Sequence, residues 1–356
     1  MEAEERKTAM SHDEMQDYWK TLCSFTGEDI PNEVNQLMAK IRYPRFLYNR
    51  QCIGVANMCK IIFIGNYKGG VGKTTTTINL AQHFSELENK ILTIDLDPQS
   101  SLSEIQVNNF HSQKTLKDLP DENTLNYIYE LSILKLKKYP GLQLDFPNTI
   151  IQKHTDYYHI PSSLFYNSGK GLDALAIKME DNIAYLAILK SFIDTVKEQY
   201  DFILIDCPPS SNLITQSAFL MSDYYLIPTV LDEISTNGVI HYIHTVNNTY
   251  KKYCVNGEDA VLAKHYFGNC PKLIGIFYNL LRGQVNYTVA DGNFRRALEE
   301  AETISQQETY VFPYNINNYI DIARSTEKGI MSKEKNDFAE FSEAVIERIN
   351  ELEKLK

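Results

Sequence analysis

The stretch Tyr67-Lys68-Gly69-Gly70-Val71-Gly72-Lys73-Thr74-Thr75 constrains this chain more than any other. It ends in the Gly-Lys-Thr of a phosphate loop, whose usual form is G-x-x-x-x-G-K-[ST]. Counting back from Gly72, the first glycine of that form is replaced by Tyr67, and the next residue is a second lysine, Lys68. Gly69, Gly70 and Gly72 give the backbone the freedom to turn successive N–H groups inward toward phosphate oxygens. Lys73 supplies a point charge for β- and γ-phosphates, Thr74 a hydroxyl for Mg²⁺, and the helix that starts there turns its positive dipole end to the anion. Lys68 lies outside that cradle. It reads either as a solvated loop lysine or as a group that reaches a phosphate elsewhere.

The setting supports the motif. Residues 60–66 form a short apolar run suited to a buried strand, and Thr75 to Leu87 reads as a helix, which gives the strand, Gly-rich turn and helix that a phosphate loop requires. Beyond it, strands at 90–95, 201–206, 224–229 and 272–279 alternate with helices at 182–198, 213–221 and 236–250. That alternation predicts an α/β fold, a mostly parallel twisted sheet with helices on both faces. Residues 105–180 resist ordering, although Ile160-Pro161-Ser162 suggests a strand end. From Asp337, the spacing of Phe338, Phe341, Val345, Ile349 and Leu352 places one apolar face on a terminal helix that docks on the core. Three segments result: a mainly helical N-terminal extension, 1–59, a nucleotide-binding domain, 60–335, and a C-terminal helix, 336–356.

Two aspartate sites each follow a strand. In Ile94-Asp95-Leu96-Asp97-Pro98-Gln99, two carboxylates leave the strand's carboxyl end, the edge at which open α/β sheets bind ligands. In Phe202-Ile203-Leu204-Ile205-Asp206-Cys207-Pro208-Pro209, the apolar run ends in Asp206, placed to hold a Mg²⁺-bound water.

Composition sets limits. No apolar run approaches the ~18 residues of a membrane span, and the start, Met-Glu-Ala-Glu-Glu-Arg-Lys, lacks the apolar stretch of a signal peptide, so a cytoplasmic location is expected. The six cysteines show no C-x-x-C pairing and are expected to be reduced thiols without a structural metal. A formal net charge of −11 argues against binding nucleic acid by bulk positive charge, so any DNA contact must be local.

These motifs give the chain its resemblance: from about Lys60 to Ile330 it resembles the ParA-type partition ATPases, within the deviant-loop group that includes MinD-like positioning ATPases. The resemblance rests on Asn66 through Thr75, on Asp95-Leu96-Asp97-Pro98-Gln99 and on Asp206-Cys207-Pro208-Pro209-Ser210, with fainter matches at Ile227 to Gly238, Gly275 to Asn279 and Val311 to Asn315. It implies a Mg²⁺-dependent ATPase that forms a homodimer on binding ATP. Lys68 becomes the signature lysine that reaches the partner's nucleotide, Asp97 positions the attacking water, Asp206 acts on Mg²⁺ through water, and Asn279 and Pro313 fall at adenine-contacting positions. It also implies non-specific DNA binding, nucleoid association and a ParB-type centromere-binding partner. Such proteins hold DNA through basic residues late in the chain, but residues 265–335 here contain as many acidic as basic side chains. The candidates are Arg282, Arg295, Arg296, Arg324 and Lys328. The acidic terminal helix argues against membrane attachment. A MinD-like positioning ATPase for protein cargo and a nucleotide-gated transcriptional regulator are the alternatives.

Overall fold

The computed structural model describes residues 58–110, 115–153, 157–281, 286–305, 308–317, 324 and 337–354. The N-terminal extension therefore lies outside the described residues, apart from Met58 and Cys59. The strands are β1 (Lys60–Ile64), β2 (Ile91–Asp95), β3 (Gln152–Lys153), β4 (Tyr158–Ile160), β5 (Phe202–Asp206), β6 (Tyr224–Thr229), β7 (Lys272–Leu281) and β8 (Val311–Asn317). They form one sheet in the order β3-β4-β2-β5-β1-β6-β7-β8. Among the described residues, every pairing is parallel except that of the short edge strand β3 with β4.

The helices of eight residues or more are α1 (Lys73–Glu86), α2 (Ser101–Phe110), α3 (Leu125–Lys138), α4 (Ile183–Ile193), α5 (Leu213–Met221), α6 (Glu233–Cys254), α7 (Ala260–Phe267), α8 (Thr288–Ser305) and α9 (Asp337–Lys354), among the described residues. The central strands are apolar on both faces because each face carries its own core. Phe63, Ile203, Ile205 and Tyr225 pack toward α3, α4, α5 and α6, while Ile62, Ile64, Leu204 and Leu226 pack toward α1 and α9. The terminal helix docks as its spacing predicts, with Phe338, Phe341, Val345, Ile349 and Leu352 all buried. Phe341 meets Phe277 of β7 at 4.3 Å between ring centroids.

Two boundaries differ from expectation for local reasons. The helix expected over 182–198 ends at Ile193, where Asp194 gathers Lys190 and Lys197, each at 2.6 Å, and a 3₁₀ turn follows at Lys197–Gln199. The helix expected from 236 begins at Glu233, because Asp232 caps it by accepting the Ser235 N–H at 2.8 Å. The unordered stretch holds α2, α3, β3 and β4, and β4 ends at Ile160 as expected. No helix among the described residues is long and apolar enough to cross a membrane, and Cys59, Cys207, Cys254 and Cys270 are free thiols.

Candidate functional site

Sheet register brings the three motifs to one edge. β5 lies between β1 and β2, with Ile64 opposite Asp206 and Asp206 opposite Asp95. The loop after β1 and the carboxylates ending β5 and β2 therefore stand side by side at the carboxyl ends of adjacent parallel strands. The chain runs from β1 to β2 on one side and from β5 across to β6 on the other, which makes this edge the crevice where open α/β sheets hold ligands.

The loop is built from glycines in left-handed conformations, braced from below. Gly70 and Gly72 have φ of 72° and 85°, in the left-handed region that glycine tolerates. A Cβ on Gly72 would lie 2.2 Å from Asn279 Nδ2, so only glycine fits there. Asn279 is 1% exposed; its amide donates to the Val71 carbonyl at 2.9 Å, and its Oδ1 accepts the Leu280 N–H. The Asn66 amide donates to the Pro228 carbonyl at 2.9 Å and its oxygen accepts the Lys68 N–H, which pins the other end of the loop to β6. Gly69 and Gly70 are exposed and face open space.

The charged groups converge under this loop. Lys73 is buried, with Nζ donating to the Lys68 carbonyl at 3.1 Å, and burial holds its ammonium below the usual lysine range against the pull of Asp206 and Asp97. The Thr74 hydroxyl donates to Asp206 Oδ2 at 2.6 Å, while Asp206 Oδ1 is buried with no hydrogen-bond partner among the described residues. Burial raises Asp206 well above the usual carboxylate range, and the neighbouring Asp95 adds to the rise. A buried carboxylate oxygen without a donor, beside a threonine hydroxyl, suits a hydrated hard cation. Thr74 and Asp206 supply only part of an octahedral shell, so such a cation would take its other ligands from water and phosphate. The residues thus fit a Mg²⁺-polyphosphate, and Thr75 extends the loop into α1, where its carbonyl accepts the Asn79 amide.

The second lysine points elsewhere. Lys68 Nζ is bonded to Asp232, the cap of α6, and to Ser235 Oγ at 2.9 Å. Tyr67 packs beside it on the same helix, 4.9 Å from Tyr242 and 5.3 Å from His241 between ring centroids. Asp97 is half-buried beyond Asp95, its Oδ1 accepting the Gln99 N–H at 2.9 Å.

The structure does not gather every candidate. Pro313 is exposed on the edge strand β8, where the register with β7 shifts. Arg295 and Arg296 lie on α8, and both are engaged within it. Arg295 Nε contacts both oxygens of Asp291 at 3.0 Å, and Arg296 Nη2 donates to Asn293 at 2.8 Å. Arg324 is exposed, whereas Arg282 and Lys328 lie outside the described residues. Asp232, Ser235, Ser103 and Ser162 were missed by sequence reasoning. Asp232 carried a signal, an acidic residue at a helix start; its pairing with Lys68 did not, because the two are 164 positions apart.

The family model described as AAA domain, AAA_31, matches residues 59–258. Soj, the sporulation initiation inhibitor protein of Bacillus subtilis, is 29% identical over 197 residues, covering 54% of this chain and 67% of Soj. The chromosome partitioning protein ParA of Myxococcus xanthus is 31% identical over 200 residues, covering 56% of this chain and 62% of that protein. The chain thus spans about two thirds or less of these relatives' lengths. Among solved structures, a Cyanothece McdA variant in complex with ATP superposes with a TM-score of 0.55 at 21% identity, covering 83% of this chain and 98% of that one. The ParA of pNOB8 bound to nonspecific DNA gives 0.53 at 20% identity, with 83% and 99% covered. Cobyrinic acid a,c-diamide synthase of Mycobacterium smegmatis, with an ATP analogue and magnesium, gives 0.55 at 17% identity, with 82% and 96% covered, so the fold alone does not select partition. With a family model matched over more than half its length, this chain belongs to the AAA domain family AAA_31.

Proposed function

We propose that the chain is an ATP-driven switch for DNA partition: it binds ATP with Mg²⁺, pairs with a second copy, engages duplex DNA without sequence preference, and is reset by hydrolysis that a ParB-type partner stimulates. One observation carries this reading, the convergence of the two-lysine loop, Asp97 and Asp206 at the ends of three adjoining strands.

Bound Mg²⁺ would neutralise charge on the phosphate oxygens. The loop N–H groups and Lys73 hold and stabilise the transferring phosphoryl group, Thr74 and Asp206 fix the cation, and Asp97 orients the attacking water in line. Lys68, held by Asp232 and Ser235 within its own chain, leaves that ion pair and reaches the nucleotide of the second copy. Exchange of a partner within the chain for one across the interface makes association depend on the nucleotide. The reset state is the one in which Asp232 recovers the lysine.

The test is binding to unrelated duplex DNA at two salt concentrations with ATP, ADP or no nucleotide. ATP-dependent binding that weakens steeply with salt is expected. Intact hydrolysis with no DNA binding under any nucleotide would replace partition by the second reading, a positioning factor for protein cargo. That reading draws on the engagement of Arg295 and Arg296 within α8, a helix that also carries Glu299, Glu300 and Glu302.

A further inference from the structure

The backbone of Asp97 is held on both sides by a closed ring of hydrogen bonds whose other members are buried. Its N–H donates to Asp95 Oδ1 at 2.9 Å, and its carbonyl accepts the Ser100 N–H at 2.8 Å and the Ser162 hydroxyl at 3.4 Å. Asp95 Oδ2 accepts the N–H and the hydroxyl of Ser103, at 2.8 and 2.7 Å. The Ser103 oxygen in turn accepts the Ser162 N–H at 2.9 Å, and Ser162 Oγ lies 3.0 Å from Ser100 Oγ. Asp95, Ser100, Ser103 and Ser162 are all buried. Ser100 has a φ of 55°, a left-handed conformation that a serine holds only when its surroundings enforce it. β2, the α2 helix that follows it, and the segment after β4, 59 positions from Ser103 at Ser162, thus close on the backbone of Asp97.

We propose that Asp95, Ser103 and Ser162 are positioning residues for Asp97, fixing the peptide from which its carboxylate projects and so where that carboxylate holds the attacking water. The inference rests on the hydrolytic reading above and deepens it. None of the ring's hydrogen bonds reaches the Gly-rich loop, Lys73 or Thr74. Loosening the ring therefore acts on the water-orienting carboxylate and leaves the nucleotide's own contacts in place. Displacement of a reacting group by about 1 Å can cost on the order of 100-fold in rate.

The experiment uses the full chain and compares Ser103→Ala, Ser162→Ala and Ser103→Thr with Ser342→Ala, a buried serine of α9 outside the site. Steady-state ATP hydrolysis gives kcat and KM, equilibrium titration with a fluorescent ATP analogue gives Kd, and thermal unfolding confirms each fold. Ser103→Ala and Ser162→Ala are expected to lower kcat about tenfold or more with KM and Kd within about twofold. Ser103→Thr, which keeps the hydroxyl, is expected to recover most of the rate. Rates for Ser103→Ala and Ser162→Ala equal to that of Ser342→Ala, or a Kd that weakens in step with kcat, would overturn the positioning role. An unaltered chain that binds the analogue but shows no turnover with Mg²⁺ and ATP would overturn the hydrolytic reading, and the ring's role with it.

Discussion

Gly72 shows how one residue ties the loop to a distant strand. Its φ of 85°, and the 2.2 Å that would separate an added Cβ from the Asn279 amide, make Gly72→Ala strained on two counts. Its expected outcome is loss of ATP-analogue binding by titration, with the fold retained. Asn279→Ala removes the brace on Val71 and the acceptor for the Leu280 N–H but leaves the Gly72 backbone unstrained, and a weaker, partial loss of affinity is expected. The glycines and Lys73 were legible in the sequence because their spacing is local. The Val71–Asn279 contact was not, because it joins positions 208 apart; the resemblance suggested only an adenine contact for that asparagine. The same holds for Lys68. Asp232→Ala removes its ionic partner within the chain, and we expect stronger ATP-dependent self-association by light scattering. Lys68→Ala should retain nucleotide binding and lose turnover; normal dimerisation with normal turnover in that variant would contradict the trans role.

At the scale of elements, the apolar strands were readable wherever a run of about five residues was buried on both faces. β1, β2, β5 and β6 appear within two residues of their expected ends. The stretch between α2 and β4 was opaque for a physical reason. β3 and β4 are two and three residues long, too short to show a period; β4 is ordered by its pairing with β2, and β3 by its pairing with β4. The terminal helix was legible because its apolar residues follow a 3.6 period and cover β7 and β8. Phe341 sits between Phe277 and Phe312, so Phe341→Ala should cost about 3–5 kcal/mol of stability, read as a lower midpoint in urea. An unchanged midpoint would mean that α9 adds little to the core.

Across the whole molecule, two buried carboxylates meet at the catalytic edge. Burial pushes Asp95 up to about 7 and raises Asp206 as well. A carboxylate with a raised folded-state pKa binds its proton in the folded chain at a pH where the unfolded chain has released it, so it adds stability as pH falls. Without Mg²⁺, lowering the pH from 8 to 6 should therefore raise the unfolding midpoint more in the unaltered chain than in Asp206→Asn. The buried His83 and His159, both pulled below the usual histidine range, oppose the rise in both proteins, so the difference between the two is the readout. The net charge of −11 sets the other whole-molecule condition, because a single acidic chain is a poor ligand for DNA. The central claim is that ATP converts single chains into pairs. Sedimentation of the Asp97→Ala variant, in which hydrolysis is expected to be blocked, with Mg²⁺ and ATP, with ADP, or with no nucleotide tests it most directly. A doubled mass with ATP alone, abolished by adding Lys68→Ala, is the expected result; the same mass in all three conditions would contradict it.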